Sequence, residues 1–295
     1  MLQEHLQLYM DSVARGKENL PDYLARDFGE ACAKAIARQW NPKDAWRLRM
    51  SGVGGNWCEQ RLARMGIKGE IDYSLPIKFL LGDIVEAIMM VIIEASGLKI
   101  QSFQQAVSLD TAGRVLKGTL DIKLHEKIWD IKSASPTSFV MKFGDTYGGY
   151  QKLRDNDPFG YVVQGYLYST AAEAPFGGWI VINKVTGEIA VLEAPEYNEK
   201  EREEAIMRAE ENIEKIMSDE PFVVPFKDIP EVKKLTVNKK KVEAPTGNRL
   251  LPSPCGWCKF KRHCWPECEV HKSIAKGGNR APMVWYSKLR NKVRS

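Results

Sequence analysis

Apolar residues recur at helical spacing through the first fifty positions. Leu6, Met10 and Val13 share one face, and Cys32, Ala33, Ile36 and Ala37 share another, with Lys34 and Arg38 outside it. Residues 1–50 are therefore predicted helical, with a break at Asn41-Pro42. Ser51-Gly52-Val53-Gly54-Gly55-Asn56 reads as a loop leading into Trp57-Cys58. A further helix is predicted from Lys78 to Ser96, closed by Gly97. The period then shortens to two, and strands are predicted over 100–109, 114–124 and 127–133, turning at Gly113 and Glu126-Lys127. Residues 134–158 keep no period and are rich in Gly, Asp and aromatics; so long a loop inside a domain is more often functional than idle. Pro158 is placed to start a helix reaching Ala172. Residues 178–184 and 188–193 read as a hairpin turning at Thr186-Gly187, and Glu196 to Ser218 as a charged amphipathic helix. Six prolines and Lys239-Lys240-Lys241 make 219–254 an expected extended connection. The order of elements predicts a mixed α/β core, not a series of βαβ units. Three segments follow: a helical region over 1–77, a core over 78–226 and a cysteine-rich region over 227–295.

Composition narrows the class. Of 295 residues, 44% are hydrophobic and 27% charged, which excludes a largely disordered or collagen-like chain. The longest uncharged apolar run, Ala87 to Ile93, is too short to cross a bilayer. The opening Met1-Leu2-Gln3-Glu4-His5 lacks the basic and apolar stretches of a secretion signal. No membrane partner is expected. Charge is unevenly spread: 17 basic against 5 acidic residues from Lys227 onward, and 26 against 33 before it. The basic end suits phosphate contact, and a solvated surface serves equally on charge alone. Four of the six cysteines fall within Cys255–Cys268, a density that points to metal binding in a reducing cytoplasm.

The most informative stretch is Gly118-Thr119-Leu120-Asp121-Ile122 followed by Trp129-Asp130-Ile131-Lys132. Side chains alternate across a strand, so Leu120, Ile122 and Leu124 share one face and Asp121 takes the other. Likewise Asp130 and Lys132 lie opposite Trp129 and Ile131. Paired as a hairpin, the two strands bring Asp121, Asp130 and Lys132 to one side. Neighbouring carboxylates repel unless a cation sits between them, and Mg²⁺ or Mn²⁺ suits oxygen donors. Such a site suits phosphodiester hydrolysis; an exposed charged strand face is the plainer reading of the same residues. Glu86 in the upstream helix offers another carboxylate, and Gln164 and Tyr168, four apart, share a face of the downstream helix.

Together these residues resemble the PD-(D/E)xK nuclease superfamily, in particular its RecB-like branch, in which an upstream acid precedes D…(D/E)xK and a QxxxY helix completes the site. The resemblance spans roughly residues 50–270. It implies a restriction-endonuclease-like mixed-sheet core over 78–226. It also implies Mg²⁺ or Mn²⁺ held by Glu86, Asp121, Asp130 and the Ile131 carbonyl. Lys132 would position or activate the attacking water, and Gln164 and Tyr168 would orient the site and the DNA end. Two features depart from the branch. No His marks the start of the upstream motif, and Asp130 stands where Glu is commoner, with shorter reach and the same charge.

The tail reads Cys255-x2-Cys258-x5-Cys264-x3-Cys268. Thiolates at C-x2-C spacing bind one tetrahedral metal or two corners of a cluster. Ser51-Gly52-Val53-Gly54 followed by Cys58 resembles the first-cysteine motif of RecB-like nucleases that carry a 4Fe–4S cluster, a group including CRISPR-associated adaptation nucleases and phage exonucleases. That resemblance implies Cys58, Cys255, Cys258 and Cys264 as cluster ligands in a C-terminal Fe–S subdomain, closing a loop of roughly 200 residues. A local zinc knuckle on Cys255, Cys258, Cys264 and Cys268 is the rival assignment. Cys32 reads as a buried helix residue, and His263 and His271 as surface residues. Trp257 and Trp265 are expected to pack around the metal site. Phe260, Trp285 and Tyr286, set among Lys259, Lys261, Arg262, Lys288 and Arg290, are candidates to stack on bases.

The implied function is a metal-dependent DNA exonuclease in recombination, repair or CRISPR and phage DNA processing, in the cytoplasm of a bacterium, archaeon or phage-infected host. DNA is the expected partner. A homo-oligomer and a recombination or CRISPR-adaptation protein are further candidates. The alternative is a non-catalytic nucleic-acid-binding or assembly protein with a zinc knuckle and a degenerate nuclease fold. The chain has no G-x4-GK[ST] phosphate loop, so no ATPase activity is expected.

Overall fold

The structure, a computed structural model, describes residues 1–41, 45–144, 146–196, 199–237, 240–276 and 281–290. In chain order the elements are α1 (Leu2–Ala14), α2 (Asp22–Trp40), α3 (Met50–Val53), α4 (Trp57–Arg64), α5 (Leu75–Ala95), β1 (Ile100–Thr111), β2 (Arg114–Leu124), β3 (Lys127–Ala134) and α6 (Pro136–Ser138). A π-turn (Phe139–Phe143) follows, then α7 (Tyr150–Asp155), α8 (Tyr161–Ala171), β4 (Phe176–Asn183), β5 (Ile189–Glu193) and α9 (Glu199–Met217). The chain ends in β6 (Ile229–Val237), β7 (Lys240–Leu250), α10 (Ser253–Trp257), α11 (Lys261–Cys264), β8 (Glu269–Lys272) and β9 (Met283–Lys288). Contacts group the residues into two discontinuous units, Met1–Gly55 with Asp72–Glu214, and Asn56–Ile71 with Lys215–Ser295. Among the described residues no helix is long and apolar enough to cross a membrane.

The first unit is a mixed α/β fold. Its sheet runs β1-β2-β3-β4-β5, antiparallel throughout except for the parallel pair β3–β4. The parallel step requires a crossover, which residues 136–171 supply through α6, the π-turn, α7 and α8. One face of the sheet gives Ile122, Leu124, Trp129, Ile131, Ile180 and Ile182 to a core with Leu2 and Leu6 of α1 and Met89 and Ile93 of α5. Each such side chain, once fully buried, contributes about 1.5–3 kcal/mol. The opposite face lies under α8, so β4 is buried along its whole length.

Several expectations are corrected here. Residues 51–53 belong to a helical turn whose Met50 and Val53 are fully buried. The 134–158 stretch is largely short helix rather than loop. Helix α8 starts at Tyr161, not Pro158, because Gly160 sits in the left-handed region (φ 73°) and Asp157 accepts from the Val162 N–H at 2.9 Å. Helix α5 begins at Leu75, with Pro76 in its first turn, and Gly97 stops it at φ 85°.

The second unit corrects the reading of 219–254. Instead of an extended connection, β6 and β7 pair antiparallel in a four-stranded sheet ordered β6-β7-β9-β8. Two of the six prolines that suggested a break sit at an irregularity of this pair, where the register shifts between Pro230 and Val232 and Val232 faces Pro245. Helix α4 packs Leu62 against Cys258 and Phe260, with Ile67, Phe222 and Cys264 beside them. A second cluster joins Leu251, Cys255 and Cys268 to Phe226, Trp265 and Trp285.

Candidate active site

Strands β2 and β3 pair only from Ile122–Trp129 to Leu124–Lys127. Beyond Ile122 they part, and the Asp121 side chain fills the opening. Its Oδ2 accepts from the Ile131 N–H at 2.8 Å, replacing a strand partner for that donor. Asp121 keeps part of its surface accessible although it lies deep in the fold. Burial, with Asp130 and Glu86 nearby, raises its pKa well above the carboxylate range, against the opposing pull of Lys132 and the Ile131 N–H.

Asp130 and Lys132 share one face, as the alternation predicts. Asp130 is 3% exposed, and its Oδ1 accepts from Lys132 Nζ at 2.6 Å. Its Oδ2 is buried with no hydrogen-bond partner. Burial disfavours the Lys132 charge, but Asp130 and Asp121 outweigh it and the lysine pKa rises. Glu86 reaches this field from α5. Burial lifts it to about 7, with Lys132 lowering it and Asp83 and Asp130 raising it. Its Oε2 accepts from Gln104 Nε2 at 2.6 Å.

Gln164 and Tyr168 lie on α8, one turn apart, with the Gln164 side chain near enough to temper the rise in the Tyr168 pKa. Burial, then Asp121 and Asp130, hold the Tyr168 hydroxyl at a pKa of about 12, so it keeps its proton at neutral pH. The ring lies directly on β2 at Gly118, where a Cβ would come within 2.5 Å of Tyr168 Cε1. The fold thus brings Glu86, Asp121, Asp130, Ile131, Lys132, Gln164 and Tyr168 into one neighbourhood.

Sequence reasoning missed three participants. Tyr161 receives Lys132 Nζ 5.3 Å from its ring centroid. Its spacing from Gln164 and Tyr168, i to i+3 and i+7, is a helical stripe that could have revealed it. Gln104 holds Glu86 from a β1 residue with φ 50°, for which the sequence offers no signal. Asp83, one turn before Glu86, pairs with Arg38 and accepts from Gln39 Nε2 at 3.0 Å.

In kind, the site fits a hard divalent cation: several oxygen donors and one buried carboxylate oxygen without a partner. Among the described residues, no three Cys, His, Asp or Glu side chains already stand as a metal-holding group. Glu86 and Asp121 are instead turned to Gln104 and the Ile131 N–H.

The second unit contains Cys58, Cys255, Cys258 and Cys264. The first three are 5–6% exposed and Cys264 is half-buried. Burial pushes Cys58 and Cys258 up to about 12, and each is raised further by Cys255 and Cys264. The charges acting on Cys268 come chiefly from Arg262, Glu70 and Lys261. The Trp265 indole N–H is buried without an acceptor at hydrogen-bond distance, yet near enough to Cys255 to temper the rise in its pKa.

Other expectations for the tail are corrected by burial. Trp257 does not pack around the cysteines; it is 78% exposed. Phe260 and Tyr286 are not stacking surfaces, since they are 2% and 1% exposed. Lys261 and Arg262 lie over the Trp285 ring while both pair with Glu70. His263 is exposed and His271 pairs with Glu269 at 2.8 Å. Cys32 is half-buried on α2 in the first unit.

No family model and no curated protein matches the chain. Among solved structures, the crystal structure of SSO0001 is similar at 13% identity and a TM-score of 0.37, covering 66% of this chain and 88% of that one. A candidate exonuclease from Eubacterium rectale is similar at 16% identity and a TM-score of 0.33, covering 60% of this chain and 68% of its own.

Proposed function

We propose that this protein is a Mg²⁺- or Mn²⁺-dependent DNA nuclease that degrades strands from their ends. The observation that carries the reading is the unpartnered Asp130 Oδ2, buried beside Asp121, Glu86 and a charged Lys132. Glu86, Asp121, Asp130 and the Ile131 carbonyl would hold the cation, which supplies Lewis-acid polarisation of the phosphoryl group and a more acidic water. Lys132 is hydrogen-bonded to Asp130 and kept protonated, so its part is to donate: it orients the attacking water or steadies a phosphoryl oxygen. Tyr168, also protonated, and Gln164 close the other wall and orient the strand. Water adds to phosphorus, the P–O bond to the leaving nucleotide breaks, and that oxygen takes up the proton. Lys132→Ala should abolish Mn²⁺-dependent release of an end label while the protein stays folded. Unchanged cleavage would sink the assignment. Closed circular DNA should survive conditions that consume the same sequence made linear.

The second unit is proposed to carry a 4Fe–4S cluster on Cys58, Cys255, Cys258 and Cys264. What supports that set over the local one is that Cys255, Cys258 and Cys264 all act on Cys58, while Cys268, which packs on Cys255, is acted on by Arg262, Glu70 and Lys261. Protein purified without oxygen should show a broad band near 400 nm and about four irons per chain. Iron should be lost in Cys58→Ser and retained in Cys268→Ser. Zinc that survives Cys58→Ser would establish the knuckle instead.

A further inference from the structure

A second lysine stands at the ring that receives Lys132. Lys142, in the π-turn, places Nζ 5.4 Å from the Tyr161 centroid, and Lys132 Nζ is 5.3 Å from the same point. Lys142 also lies 4.5 Å from the centre of Phe159, whose ring stacks on Tyr161 at 5.6 Å and 23°. Two cations and two aromatic faces thus run outward from Asp130 without interruption.

Phe159 is 44% exposed, yet the turn that carries it is firmly held. Asp157 ties the turn to the first residues of α8 through the Val162 N–H. The backbone at 54–55 presses against it: a Cβ on Gly54 would lie 2.6 Å from the Gly160 carbonyl oxygen, and one on Gly55 2.9 Å from that of Phe159. An exposed phenyl ring on so fixed a support presents a ready stacking face. Asp157 Oδ1 is buried without a hydrogen-bond partner, and its charge acts on both Lys142 and Tyr161. Burial draws the Lys142 pKa down and Asp157 draws it back up, and among the described residues no carboxylate comes within ion-pair distance of its Nζ. Lys142 is half-buried, and its ammonium beside Phe159 is the cation an incoming phosphate would meet.

We propose that Lys142 and Phe159 form a subsite for the nucleotide next to the scissile phosphate, the lysine taking that nucleotide's phosphate and the phenyl ring stacking on its base. Tyr161, between the two lysines, sets the spacing from this subsite to the reacting group. A base reaches Phe159 only when it is out of the duplex, so the ligand is an unpaired nucleotide at a DNA end. The inference rests on the nuclease reading and deepens it.

Binding in EDTA separates the two. A short single-stranded oligonucleotide carrying 2-aminopurine at its terminal position serves as the probe. Wild type should quench the fluorophore on binding, and Phe159→Trp should do the same. Phe159→Ala should leave it bright. Lys142→Ala should weaken binding about tenfold and reduce the salt slope by about 0.7, the loss of one single-strand phosphate contact, and Lys142→Arg should restore the slope. With Mn²⁺, Lys142→Ala should raise KM far more than it lowers kcat. Quenching that persists in Phe159→Ala, or a salt slope that persists in Lys142→Ala, would overturn the subsite, and neither result touches Lys132. Failure of the nuclease reading shows separately, as wild-type protein that binds the probe and never cleaves it.

Discussion

Glu231 in the second unit and Asp130 in the first are carboxylates shielded to the same degree, at 1% and 3% exposure. Their surroundings differ. Glu231 accepts from Tyr286, Ser273 and the Ile274 and Ala275 N–H groups on one oxygen, and from Thr246 and Asn248 on the other. Burial works to raise its pKa, but these donors win and hold it at about 2. Asp130 has Lys132 on one oxygen and no partner on the other. Its neighbours Asp121 and Glu86 are pushed up, Glu86 to about 7. Glu231 is shut from solvent, whereas Asp121 keeps part of its surface open. The contrast teaches that burial alone does not mark a reactive carboxylate. Donor count separates the two: a saturated carboxylate fastens a sheet, and an undersupplied group of them is where a reactive site is to be sought.

The comparison is most sharply tested at Asp130 itself. Asp130→Asn should cut Mn²⁺-dependent cleavage by on the order of 10³-fold. Its effect on metal-free stability runs through Lys132, whose buried ammonium loses its carboxylate partner. Cleavage that survives Asp130→Asn would mean that Asp130 is a structural group like Glu231. The reverse profile is expected at Glu231. Glu231→Ala strands six donors and should cost about 3 kcal/mol in urea unfolding. A loss below about 1 kcal/mol would show that water replaces the carboxylate easily.

Acid separates the two sites next. Glu231 has a folded pKa near 2, below the ordinary 4.5, so its stabilisation is present above pH 4.5 and fades as pH falls toward 2. The gap in urea midpoint between wild type and Glu231→Gln should narrow across that window. Glu86 has the opposite sign: its folded pKa of about 7 makes its contribution full below 4.5 and lost as pH rises through 7. In EDTA, Glu86→Gln should therefore gain on wild type between pH 4.5 and 8. Parallel pH profiles for the two substitutions would erase the distinction.

How much of this was legible in the sequence depended on the range of the contact. Strands β2 and β3 and the shared face of Asp130 and Lys132 follow from a two-residue period, and the structure places them where that period does. Tyr161 was accessible in principle, because its stripe with Gln164 and Tyr168 is local. Glu231 was not: in a lysine-rich, proline-punctuated stretch it resembles any solvated acid, and its donors come from 15 to 55 residues away. The same long reach hid β6 and β7, whose prolines fall at an irregularity in the ladder. Phe260 and Tyr286 were misread for a related reason, since basic neighbours in sequence say nothing about burial.

Gly118 offers the subtlest test, because it joins the sheet to the tyrosine wall of the site. A Cβ there would meet Tyr168 Cε1 at 2.5 Å, and the Met50 sulfur and Tyr168 hydroxyl oxygen at 3.2 Å. Tyr168 is 5% exposed and Met50 fully buried, so neither ring nor sulfur has free space to enter. Gly118→Ala should therefore cost about 1–3 kcal/mol through overpacking. It should also lower kcat, since the displaced hydroxyl no longer faces Asp121 and Asp130. A double-mutant cycle assigns the cause. In a Tyr168→Ala background the clash partner is absent, so adding Gly118→Ala should cost little more, leaving a coupling of about 1 kcal/mol or greater. Additive losses would show that alanine disturbs β2 on its own, and that the close approach of Tyr168 to the strand is not what positions it beside the carboxylates.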